Sequence, residues 1–193
     1  MLLAFKKKKE ILFYLLKFGG YFCLLYFGTL GVIGLSTPEN EYSPFVARHL
    51  NFIDPLRASI LVGAKTFLSL LGHKSSLRDR FTLGMENGSA VRMVYSCIGY
   101  GVMSFWAAFV LANTGGVKRK TLWLFGGLLM LWLINVLRIG LLLLATTNGW
   151  LLPFHWDHHT WFNVIAYCGI FTLIYFYDRS FTQPANARTL IDN

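Results

Sequence analysis

The twenty-four residues from Leu122 to Ala145 carry a single charge, Arg138, and so apolar a run restricts what the chain can fold into. At a rise of ~1.5 Å per residue it forms a helix of about 36 Å, enough to cross a hydrocarbon core roughly 30 Å thick. Three further runs are of the same kind: Ile11 to Leu35, Tyr95 to Leu111 and Trp161 to Tyr177. Each is near or above the ~17 to 20 residues needed to cross. With 55% hydrophobic residues over 193 positions, the composition is that of an integral membrane protein rather than a soluble domain. The fold expected is an all-α polytopic bundle of about four to six transmembrane helices, forming one membrane-embedded domain over residues 1–193.

The charges orient these runs. Lys6-Lys7-Lys8-Lys9 precedes the first, which is too long for a signal-peptide core and is followed by no small-x-small cleavage site. It reads as an uncleaved helix with its N-terminus inside. Lys118-Arg119-Lys120 marks a cytoplasmic loop by the positive-inside tendency. The formal net charge of +9 sits mostly at helix ends, where it fixes topology and meets anionic lipid in the bilayer. Nucleic acid is rejected as a partner.

The sixty or so residues between the first run and Tyr95 are mixed in character. Residues 36–40 read as a loop, and Asp54-Pro55 predicts a helix from Pro55 to Leu71. It carries Arg57 and Lys65 and is expected to lie on or dip into the outer leaflet as an amphipathic helix. If it crossed instead, everything after it would flip, and Lys74, Arg78, Arg80 and Arg92 do make the next segment as basic as a cytoplasmic loop. From Arg80 to Val94 apolar and polar residues alternate about Glu86-Asn87-Gly88-Ser89, the pattern of a short extracytoplasmic hairpin. A plain polar loop is the competing reading.

Counting from the basic loop places three reactive side chains at one depth. Cys97 lies 21 residues before Lys118, about 31 Å along a helix, and Arg138 lies 18 residues after Lys120, about 27 Å. The last run begins near His159 and reaches Asp178-Arg179 after about 29 Å. All three fall near the outer boundary of the hydrocarbon core. Cys97 opens its helix, where free backbone N–H groups favour thiolate over thiol. It also shares a small-residue face with Gly101, Ser104 and Ala108, so a packing role competes with a nucleophilic one. Arg138 shares a face with Asn135, three residues earlier, which implies a polar interior rather than a guanidinium snorkelling to the headgroups.

Cys23 and Cys168 fall inside apolar runs, where a thiol packs like a small hydrophobe, and three cysteines make no disulfide framework. His155, Asp157, His158 and His159 supply enough donors for zinc. Neighbouring residues rarely converge on one ion, however, so neither a metal nor a cofactor is expected.

In this order and spacing, Tyr95-Ser96-Cys97-Ile98-Gly99, Asn135-Val136-Leu137-Arg138-Ile139 and the aromatic segment from His159 to Tyr167 resemble the exosortase/archaeosortase family of membrane-embedded cysteine transpeptidases. The resemblance covers about half of the chain and is to a compact form. It departs from the family where Ile98 replaces a serine and Asn163 a glycine.

The resemblance implies a transpeptidase or protease of the cell membrane, its site facing the extracytoplasmic side. It would cleave membrane-anchored proteins whose C-terminal sorting signal joins a short motif, a transmembrane helix and a basic tail. Catalysis would fall to Cys97 as nucleophile, Arg138 as oxyanion donor and His159 as acid and base. Asn135 and His158 would support them, with His158 the alternative acid and base. Arg80 and Arg92 on the hairpin would bind substrate. Two rivals stand beside this reading: a non-enzymatic membrane assembly protein, and a membrane thiol oxidoreductase, which would need a second cysteine close to Cys97.

Overall fold

The computed structural model describes residues 2–38, 42–86, 88–150 and 158–182, with side chains from Lys8 in the first helix and from 164 to 180 in the last. In chain order the elements are α1 (Leu2–Ser36), α2 (Pro44–His49), α3 (Ile53–Leu70), β1 (Ser75–Leu77), β2 (Thr82–Met85), β3 (Ala90–Arg92), a 3-10 turn (Tyr95–Ile98), α4 (Tyr100–Ala112), α5 (Val117–Asn148) and α6 (His158–Thr182). The protein is mostly helical. Among the described residues, two helical stretches, Lys8–Ser36 and Val117–Asn148, are long and apolar enough to cross a membrane.

Contacts between helices give their directions. Tyr14 of α1 meets Asn113 at the end of α4, whereas Tyr26 stacks near Tyr100 at its start, so the two run antiparallel. Trp106 of α4 donates its indole N–H to the Trp123 carbonyl of α5, and Arg119 of α5 donates to Ser180 Oγ of α6. Nearer the other end of α6, Gly169 packs on Ile134. The N-terminal half of α1, the end of α4, the start of α5 and the end of α6 therefore share one end of the bundle. The start of α4 and the later half of α5 share the other.

Helix α3, expected over Pro55 to Leu71, spans Ile53–Leu70. It packs lengthwise on α5: Ser59 accepts a hydrogen bond from Trp132, Gly63 lies under Val136, and Phe67 covers Gly140. These contacts advance together along both chains, so α3 and α5 run the same way. The apolar spacing of Ile53, Ile60, Leu61, Ala64 and Leu68 makes the buried face. Its start also differs from expectation. Asn51 rather than Asp54 closes the helix end, accepting the Asp54 backbone N–H and donating to the Asp54 carboxylate.

The hairpin lies within a three-stranded antiparallel sheet in the order β1-β2-β3, and β1 is a strand that the alternation over 80–94 did not include. The β2–β3 register pairs Thr82 with Arg92 and Gly84 with Ala90. Met85 N–H closes the turn on the Ser89 carbonyl, enclosing three residues rather than the two of the tight turn that Asn-Gly favours. Leu83 and Met93 are fully buried and seal the sheet onto α3 and α5.

Candidate functional site

Cys97 does not open α4. Tyr95–Ile98 is a separate 3-10 turn, and Gly99, at φ +79°, reverses the backbone before α4 begins at Tyr100. The expected single helix from Tyr95 to Leu111 is thus broken, which takes Cys97 off the stripe it would share with Gly101, Ser104 and Ala108. Only the left-handed conformation lets the chain turn here, and it suits glycine because a side chain would meet the following carbonyl. Helix α4 keeps 13 residues, about 20 Å, which is less than a bilayer core.

The turn lies against α5. Arg138 Nη2 donates to Cys97 Sγ at 3.7 Å, a buried contact between residues 41 apart in sequence. One turn earlier on the same face, Asn135 Nδ2 donates to the Ile98 carbonyl at 2.7 Å, also buried. Arg138, Asn135 and Cys97 are all less than a tenth exposed. A cavity of about 190 Å³ opens beside Asn135 and Arg138, lined on its polar side by those two and Ser96 and on the other by Tyr26, Leu131 and Ala166, whereas Cys97 itself does not line it. The arrangement sets a guanidinium at hydrogen-bonding range of a sulfur in a buried site.

His158 and His159 form the first residues of α6, and their side chains, with all of 151–157, lie outside the described residues. Ala166 of α6 lines the cavity, and His159 sits two turns, about 10 Å, nearer the helix start. Among the described residues no group of three or more His, Cys, Asp or Glu side chains assembles. The zinc question raised over His155, Asp157, His158 and His159 concerns residues outside that set.

Arg57 is the residue the sequence reading undervalued. Counted there as a charge on a peripheral helix, it is 2% exposed. It forms an ion pair with Asp54, and its guanidinium lies 4.0 Å over the Phe81 ring and 5.0 Å over that of Tyr95, two residues before Cys97. Among the described residues its Nε and Nη1 have no hydrogen-bond partner. Stacking on aromatic faces partly replaces lost hydration, so Arg57 ties α3, the sheet and the cysteine turn together. The Asp54/Arg57 spacing of three residues was the available sequence signal.

Arg80 and Arg92 are not brought together at Cys97. Arg80 lines a separate groove of about 650 Å³ with Asp54, Arg57, Leu77 and Asp79, while Arg92 lies 5.5 Å over the Phe81 ring. Beside them, Asp79 accepts the Phe81 backbone N–H at 2.6 Å, and this bond to its charged form holds the carboxyl below the usual aspartate range.

No family model, curated protein or solved structure matches this chain.

Proposed function

We propose that the protein is a multi-pass membrane cysteine transpeptidase or protease that cleaves C-terminal sorting signals of surface proteins at the extracytoplasmic face. The observation that carries this reading is the buried contact of Arg138 Nη2 with Cys97 Sγ. A guanidinium and a thiol are expensive to place in an apolar bundle, and structural cysteines ordinarily pack among apolar groups. In the proposed reaction the Cys97 thiolate attacks the scissile carbonyl and forms a thioester. Arg138 stabilises the oxyanion of the tetrahedral intermediate, and His159 protonates the leaving amine, then takes a proton from the amine or water that resolves the thioester.

Membrane embedding is supported by a belt of large apolar side chains open to the surroundings. Leu16, Leu24 and Phe27 on α1, Leu122, Phe125 and Leu129 on α5, and Phe171 on α6 are all exposed. So much exposed apolar surface is rare on soluble monomers and suits lipid. The orientation is supported by the 19 residues, about 28 Å, that separate Arg119 from Arg138 along one unbroken helix. Cytoplasmic placement of Lys118-Arg119-Lys120 then sets Arg138 near the outer boundary.

The experiment is Cys97→Ala expressed in place of the native protein, with C-termini of membrane and surface proteins mapped by mass spectrometry. Full-length precursors retaining an apolar C-terminal segment should accumulate, with mature forms falling roughly 10³-fold or more. Normal processing by a folded Cys97→Ala protein would remove the nucleophile and the reading with it.

A further inference from the structure

Two side chains three residues apart on one face of α5 grip two consecutive residues of the cysteine turn. Arg138 holds Cys97 by its sulfur, and Asn135 holds Ile98 by its carbonyl. We propose that Asn135 is a positioning residue that sets the distance between the Cys97 sulfur and the Arg138 guanidinium. The proposal rests on the reading of Cys97 as a nucleophile, yet its geometry is independent of any substrate.

Three features point the same way. Ile98 is fully buried, so its carbonyl has no water to fall back on and Asn135 is its donor. Gly99 must be glycine on two counts: its φ is +79°, and a Cβ there would stand 2.5 Å from Asn135 Nδ2. The turn and the amide are therefore in direct contact at the point where the backbone reverses. Finally, Gly99 starts α4, its carbonyl accepting the Met103 N–H at 3.0 Å, so the amide fixes one end of a rigid helix as well as the turn. Without that bond the turn is free to rock away from α5. A hydrogen bond to sulfur at 3.7 Å is already near its useful limit, and even a small displacement separates the pair.

The test uses the full-length protein in detergent or lipid vesicles, with Cys23→Ser and Cys168→Ser leaving Cys97 the only thiol, and iodoacetamide as probe. Asn135→Ala should alkylate about tenfold more slowly at neutral pH, because the Cys97 sulfur loses the guanidinium held beside it. Arg138→Ala should slow it by a similar factor. The double variant should be no slower than Arg138→Ala alone, since Asn135 acts only through that pair. Melting temperature is followed in parallel, and Asn135→Asp, equal in size but without the donor, replaces the alanine variant if that fails to fold. Parental alkylation in Asn135→Ala, faster alkylation from a merely opened turn, or additive slowing in the double variant would each overturn the proposal. If the slowing is found while Cys97→Ala still processes surface proteins, the positioning role stands and the protease reading falls.

Discussion

Helix α5 passes through two cores of opposite character. Its first half, with Gly127 and Leu131, meets Trp106, Val110, Ile170, Leu173 and Tyr177, a core of aromatic and aliphatic groups. Trp123 and Tyr177 meet edge to face at 5.6 Å, and Trp106 and Phe109 stack at 5.7 Å. The indole N–H of Trp106 is satisfied by the Trp123 carbonyl at 3.2 Å. Its second half, with Asn135, Val136, Arg138 and Ile139, meets Cys97, Ile98, α3 and the sheet. There two arginines and an asparagine are buried within one small region. Buried cations weaken a fold unless each is paired, whereas interlocked rings strengthen it. The contrast teaches that apolar packing and buried polarity are divided along one helix: the first half is a clamp, and the second carries polar groups that packing alone would not choose.

The comparison is sharpest at Arg138. Arg138→Lys is expected to lower processing about as much as Arg138→Ala, roughly 10²- to 10³-fold, because a planar fork offers several fixed donors and an ammonium only a point charge. A lysine variant with most of the activity, measured by conversion of precursor, would reduce the second core to a matter of charge. In the same assay His159→Ala should abolish turnover and His158→Ala weaken it less, and the reverse order would move the acid and base role to His158.

In the first core the loss should appear as stability instead. A Cβ at Gly127 would run into the Trp106 indole, so Gly127→Ala should force that ring from its hydrogen bond and cost about 1 to 3 kcal/mol. Thermal unfolding in detergent should register the loss while Cys97 alkylation in the folded protein stays at its parental rate. A changed alkylation rate at equal folded fraction would show that the two cores are coupled.

A smaller effect is expected at the hairpin, next to the second core. Gly88 has φ +99°, so Gly88→Val should strain the β2–β3 turn by about 1 kcal/mol or more. If the sheet guides an extended substrate, processing should fall severalfold at unchanged protein level. Unchanged processing would confine the chemistry to α5 and the cysteine turn.

The smallest effect concerns Asp79. Its folded-state carboxyl is lowered, first by the Phe81 N–H, so its contribution is present above the ordinary aspartate range and is lost as pH falls through the lowered value. Acid unfolding should therefore show a slight extra loss in the parent that Asp79→Asn lacks. Identical curves would mean that this exposed turn contributes nothing to holding the sheet.

Much of the framework was legible in the chain. The apolar runs lie inside α1, α5 and α6, which extend beyond them by up to nine residues at the start of α1, and Asn-Gly located the bend between β2 and β3. The residues Cys97, Arg138 and Asn135 were legible as well, because each is a reactive or polar group where an apolar one would pack better. What went unread is instructive. Nothing in Tyr95-Ser96-Cys97-Ile98-Gly99 distinguishes a helix start from a 3-10 turn, since only a left-handed Gly99 separates them. Arg57 looked peripheral because periodicity cannot say which neighbour a helix will find.

Length and charge are local properties, written residue by residue, so the sequence alone determined that this chain makes long apolar helices with cations gathered at their ends. Which faces meet is not local. The pairing of Arg138 with Cys97 across 41 residues depends on α3 and the sheet pressing the turn onto α5, on Asn135 holding the Ile98 carbonyl, and on Gly99 leaving room for that amide. Only the tertiary structure decided it, because close packing admits one arrangement of those surfaces and a sequence pattern admits several.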